Sequence, residues 1–165
     1  MMRVAEKLEQ LMRHVPGVAG YQDQETSRET DKAVRLRLSA ALDEIRREIE
    51  IEQRQLTERH VLDRLAVLGR LSAKLAALAS RVKYASRGYR GLFDTYKLTQ
   101  ETLDQLYTFD MGLFAAVEQL RTKMRAVRTT TGNAASCSQA IDAFDRALDE
   151  FETAFARRSN ILVAT

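Results

Sequence analysis

The segment Ile49–Val61, Ile-Glu-Ile-Glu-Gln-Arg-Gln-Leu-Thr-Glu-Arg-His-Val, decides how the rest of the chain folds. It lies inside residues 25–86, a stretch with no proline and one glycine, Gly69. As a single helix rising ~1.5 Å per residue, that stretch would be a rod of roughly 90 Å. The apolar pattern argues for two helices instead. Val34, Leu38, Ala41, Leu42, Ile45 and Ile49 form one stripe at helical spacing. The stripe lapses through residues 50–59, where Leu56 is the main apolar residue. A new seam starts at Val61 and continues through Leu65, Leu68, Ser72, Leu75, Ala79 and Val82, in the alternating steps of knobs-into-holes packing. A tight hairpin is therefore expected near Leu56–His60, with Thr57 as N-cap of the following helix. Gly69 reads either as a point of close backbone approach or as a tolerated surface position.

Upstream, residues 2–15 place Val4, Leu8, Leu11, Met12 and Val15 on one face, and Pro16 and Gly17 end this short helix. It docks on the bundle, or lies on a membrane surface or in a partner's groove as an amphipathic anchor. Glu6 and Glu9 weigh against anionic lipid. Downstream, Thr99 is expected to cap a helix with Glu101 and Asp104 in its first turn, where negative charge suits the dipole. Its seam is Leu103, Leu106, Leu113, Val117, Leu120, Met124 and Val127, with Asp110 standing where an apolar residue belongs. Gly132 marks its end, and Ser136 and Gln139 have capping-box spacing for the last helix. That helix carries Cys137, Ile141, Phe144, Leu148, Phe151 and Phe155 without a miss. The apolar tail 161–165 packs back or serves as a docking peptide.

These patterns predict an all-α fold of one domain: an antiparallel four-helix bundle of coiled-coil-like helices at 25–56, 59–87, 99–129 and 135–157. A short extra N-terminal helix, 2–15, precedes it. Composition agrees. The 165 residues are 45% apolar and 30% charged, with one proline and no tryptophan. A formal charge of +3 is too small to argue for nucleic acid. One cysteine, Cys137, excludes an intrachain disulfide and continues an apolar seam, as a small buried hydrophobe would. No stretch approaches the ~20 apolar residues of a membrane span, so a cytoplasmic protein is expected.

Little in the chain suits catalysis. Di-iron bundles need Glu-x-x-His pairs, and the two histidines, His14 and His60, have no glutamate three residues before them. Gly88-Tyr-Arg-Gly91 lacks the Gly-Lys-Ser/Thr ending of a phosphate loop. No cofactor, no metal and no enzymatic activity are expected.

The unusual chemistry lies between the two hairpins, at Tyr84–Lys97. This junction gathers Tyr84, Arg87, Tyr89, Arg90, Phe93, Tyr96 and Lys97, and arginine and tyrosine are frequent binding anchors. Asp110 in its seam needs a partner, because an unpaired buried carboxylate is costly. Arg87, Arg90 and the hydroxyls of Tyr84, Tyr89 and Tyr107 are the candidates, making Asp110 a structural polar staple. The same bundle end collects further charges, among them Asp31, Arg35, Arg157 and Arg158, and carries an excess of basic groups.

Pro-Gly-Val-Ala-Gly-Tyr at 16–21, Gly-Tyr-Arg-Gly-Leu-Phe-Asp at 88–94 and Leu-Tyr-Thr-Phe-Asp at 106–110 resemble small bacterial all-helical proteins without an assigned function. That resemblance implies a bacterial cytoplasmic bundle and no activity. A short amphipathic helix leading into a long hairpin is also similar to the phage-shock and ESCRT-III-like membrane remodellers, from which the aromatic junction departs. The expected function is a non-enzymatic scaffold or adaptor, taking a protein partner or a second copy through the junction end and the leading helix. The alternative is a membrane-surface adaptor using residues 2–15, and a nucleic-acid partner is not expected.

Overall fold

A computed structural model describes residues 4–21, 24–85, 99–130 and 132–161. Its regular structure is helical: α1 (Val4–His14), α2 (Gln24–Glu58), α3 (Leu65–Tyr84), α4 (Gln100–Thr129) and α5 (Ala134–Ile161). The chain does turn after residue 58. The His60 N–H donates to the Thr57 carbonyl at 3.0 Å and the Val61 N–H to the Leu56 carbonyl at 2.9 Å. With His60 at φ 59°, these two bonds make a Schellman ending with the histidine in the left-handed position. The apolar pair Val61 and Leu56 falls where that motif places its hydrophobic contact.

Two cap assignments need correction. Thr57 does not cap the third helix. It lies in the last turn of α2, where its hydroxyl donates to the Gln53 carbonyl at 2.8 Å. α3 begins at Leu65 and not at 59, because residues 59–64 are used in the turn, and Arg64 precedes it with no side-chain cap bond. Nor does Ser136 cap the last helix. Asn133 does so, its Oδ1 accepting from the Ser136 N–H at 3.1 Å, and α5 starts at Ala134. Thr99 caps α4 as expected, its hydroxyl accepting from the Thr102 N–H at 3.2 Å.

The apolar stripes meet in one core. All six stripe residues of α2, all seven of α4 and all six of α5 are buried. In α3 the buried face is Leu68, Leu71, Leu75, Leu78, Ala79 and Val82, while Val61, Leu65 and Ser72 are half-buried. α2 packs most extensively on α3, and α4 on α5; α2 also touches α4, and α3 touches α5. Across α2 and α3, Gln53 meets Leu65 and Arg35 meets Lys83. Across α2 and α4, Glu44 pairs with Arg121 and Glu52 faces Arg128. Across α3 and α5, Lys74 pairs with Asp145 and Arg81 with Glu152.

α1 is docked on α4. Leu11 is fully buried, which contributes roughly 1.5–3 kcal/mol. Lys7 Nζ reaches Asp104 at 2.6 Å and the Thr108 hydroxyl at 2.9 Å. The His14 ring stacks on Phe114 with centroids 4.7 Å apart. Pro16 then breaks the helix, and Gly17 and Gly20, at φ of 85° and 84°, turn the chain back over the bundle. Val15, Val18 and Tyr21 in this loop are buried.

Candidate functional site

Asp110 sits at an α4 seam position and is fully buried. An ionised carboxylate there must be matched in place, since burial strips its water. Its Oδ1 accepts from Arg158 Nε at 2.6 Å and its Oδ2 from the Tyr21 hydroxyl at 2.6 Å. Arg158, also fully buried, donates from Nη1 to Asp31 at 2.7 Å and from Nη2 to the Tyr21 oxygen at 3.0 Å. Asp31 in turn accepts from Arg35 Nε at 2.8 Å, and Arg35 Nη1 donates to the Lys83 carbonyl at 2.9 Å. Two aspartates and two arginines, all buried, thus cancel in charge while joining α2, α4, α5 and the end of α3.

The loop before α2 is laced into the same cluster. The Tyr21 N–H donates to the Tyr107 hydroxyl at 2.9 Å, and the Thr30 hydroxyl donates to the Gly20 carbonyl at 3.0 Å. The Tyr21 and Tyr107 rings meet edge to face at 5.2 Å. Burial pushes the Tyr21 hydroxyl's pKa well above 10, and the Asp110 charge beside it adds to the rise. Burial acts the other way on Arg158, favouring loss of its proton. The Asp110, Tyr21 and Asp31 groups outweigh this and hold the guanidinium firmly charged.

Asp110 is therefore bonded, among the described residues, to Arg158 and Tyr21, neither of which was among the expected partners. Tyr107 gives its oxygen to the Tyr21 N–H, and Tyr84 is 65% exposed at the end of α3. The charged end also needs correction. Asp31, Arg35 and Arg158 are interior groups that neutralise one another and add nothing to a solvated basic surface. Of the expected docking patch, Tyr84 lies exposed with Lys83 Nζ 5.2 Å from its ring centroid, a cation–π placement. Arg87, Tyr89, Arg90, Phe93, Tyr96 and Lys97 lie outside the described residues.

Sequence reasoning missed Tyr21 and placed Asp31 and Arg158 among the surface charges of the bundle end, yet a signal of their burial existed. Arg158 is the next step of the α5 seam after Phe155, and Asp31 is one step before Val34 on the α2 stripe. Polar residues at seam positions of three helices are a request for one another. Chemically, the cluster is closed: its charges are sealed from solutes, and its role is to hold elements together. Among the described residues, no helix is long and apolar enough to cross a membrane. No protein-family model, curated protein or solved structure matches this chain.

Proposed function

We propose that the protein is a non-enzymatic scaffold or adaptor. It is an antiparallel four-helix bundle of coiled-coil-like helices that docks a protein partner, or a second copy of itself, through its Arg/Tyr-rich end. The observation that carries this is Tyr84, an exposed aromatic beside Lys83 on a helix end whose Lys83 carbonyl is pinned by the buried Arg35. A binding anchor is most effective on a rigid base, because less freedom is lost on association. The contacts along the bundle support the topology: partners fall in opposite order between α2 and α3, and in the same order between α2 and α4. Arg87, Tyr89, Arg90, Phe93, Tyr96 and Lys97 follow Tyr84 directly in the chain and supply the remaining anchors.

Docking is favoured over the membrane-surface alternative because α1 already buries most of its apolar side in the bundle, with Met12 alone of that face exposed. Lying on lipid would uncover Leu11 and break the Lys7–Asp104 pair. Affinity capture with Arg87→Glu/Arg90→Glu against the parent chain tests the docking reading. Loss of the captured species, with helicity intact by circular dichroism, is expected. Equal capture by both chains refutes the patch. Flotation on anionic vesicles that depends on residues 4–14 would favour the membrane alternative.

A further inference from the structure

At the other end of α2 and α4, a cavity of about 320 Å³ opens between their last turns. Its lining is Glu52, Gln55, Arg59, Arg125, Arg128 and Thr129. We propose that this cavity binds a small phosphate-bearing anion. Three arginines line it from two chain segments, against one carboxylate among the described residues. That carboxylate, Glu52, is 2% exposed and forms an ion pair with Arg128, whose Nε stands 3.8 Å from it, so Arg59 and Arg125 supply the positive charge that this pair does not offset. Arg125 donates to a neutral oxygen, the Thr122 hydroxyl, at 3.2 Å. Arg59 pairs with no carboxylate among the described residues.

Helix C-termini favour basic residues, and that alone would place an arginine at each helix end. It does not account for three of them bordering one recess with a buried glutamate at its wall. Like charges gathered in this way repel one another, and a multidentate oxyanion relieves the repulsion while accepting from the planar forks. Because the helix ends present carbonyls, the arginines carry the recognition. Glu52 adds selectivity. A carboxylate beside the bound oxyanion accepts from a protonated phosphate oxygen and repels one that has no proton, so phosphate is preferred over sulfate. The volume lies at the lower end of small-ligand sites, which suits a phosphomonoester or a diphosphate.

The test titrates the full-length chain with inorganic phosphate and with pyrophosphate, following the arginine Nε–H resonances and the melting temperature. Chloride and sulfate at matched ionic strength are the references. Saturable shifts of Arg59, Arg125 and Arg128 are expected, stronger for the phosphates than for sulfate. Arg59→Gln and Arg125→Gln are each expected to weaken binding about tenfold, as loss of a charge-assisted bond does. Vesicles containing phosphatidic acid, run in parallel, separate a lipid headgroup from a free phosphate as the source: binding to either that is lost in the double variant supports the site. The proposal is overturned by an unsaturable response, by a response equal to that with sulfate, or by unchanged binding in a double variant whose circular dichroism matches the parent.

Discussion

Replacing Asp110 by asparagine removes one charge from a closed set of four. The buried cluster then holds Asp31 against Arg35 and Arg158, a net positive charge with no solvent to absorb it. The amide can still accept one bond, yet its NH₂ faces either Arg158 Nε or the Tyr21 hydroxyl, both of which now donate to the carboxylate. Removing one partner of a buried ion pair costs about 3–5 kcal/mol. That is a large share of the roughly 5–15 kcal/mol that holds a domain folded. Arg158→Met leaves Asp110 with Tyr21 and Asp31 with Arg35, and should cost a similar amount. Each single variant leaves one buried charge unmatched, whereas the double variant Asp110→Asn/Arg158→Met leaves Asp31 balanced by Arg35, so its cost should fall short of the sum by at least about 2 kcal/mol. The assay is urea unfolding followed by far-UV circular dichroism near neutral pH, comparing midpoints at constant slope. Arg81→Ala, in a solvent-facing pair with Glu152, is the control and should cost under about 1 kcal/mol. If Asp110→Asn stays within about 0.5 kcal/mol of the parent, or the two single costs simply add, the cluster is not a coupled unit and the reasoning fails.

Alkaline pH should unfold the protein through the same cluster. Burial raises the Tyr21 pKa above its ordinary value of 10, so the folded chain keeps a proton that the unfolded chain releases. Stability is therefore full below that pH and falls above it, by up to about 1.4 kcal/mol per pH unit for this group. Tyr107, raised chiefly by burial, acts in the same direction, as does Lys74, where the bonds to Asp145 and Asp149 outweigh desolvation. Tyr21→Phe should flatten the decline measured by urea midpoints across this range, and an unchanged slope would exclude Tyr21 as its source. Two glycines should behave oppositely on alanine substitution, measured by the same unfolding assay. At Gly69 a Cβ would lie 3.6 Å from the Gln53 amide nitrogen, an ordinary contact, and the helix gains about 0.5–1 kcal/mol. At Gly20, with φ at 84°, it would lie 2.5 Å from the Tyr107 hydroxyl, and strain plus loss of the bond to Tyr21 costs at least about 2 kcal/mol.

The helices and their buried faces were legible because burial repeats at the helical period, and α2, α4 and α5 were read without a wrong residue in their stripes. α3 was read less well. Leu71 and Leu78 are buried although a strict alternation of steps passes over them, because the helix fits a face wider than a two-position seam. The turn after α2 was placed a few residues early. Thr57 looks like a cap wherever it stands, and only the Schellman bonds, formed by a histidine in a glycine-like conformation, show that it belongs to the helix before. The need of Asp110 for a partner was legible, but the partner was not. Arg158 lies 48 residues away in sequence and Tyr21 lies 89 away, and neither distance leaves a local trace. What did leave a trace was the seam position of Arg158, which reads as an ordinary helix-end arginine until its phase is counted.

That phase explains what a costly buried cluster contributes. Leucine seams are nearly self-similar, so two helices that slide by one heptad still bury much the same apolar surface. Such a slide moves a helix by about 10 Å. It would part Asp110 from Arg158 and Asp31 from Arg158, leaving Asp110 and Arg158 inside without water or counter-charge, while Asp31 keeps Arg35 on its own helix. The penalty for the wrong register is then far greater than the small net contribution of the pairs in the right one. Tyr21 extends the constraint to the loop after α1, since its hydroxyl is satisfied only when α4 and α5 bring Asp110 and Arg158 together. Arg35 extends it to the last turn of α3 through the Lys83 carbonyl, one residue before the exposed Tyr84. For the docking proposed above, the same buried charges therefore fix the helix end that carries Tyr84.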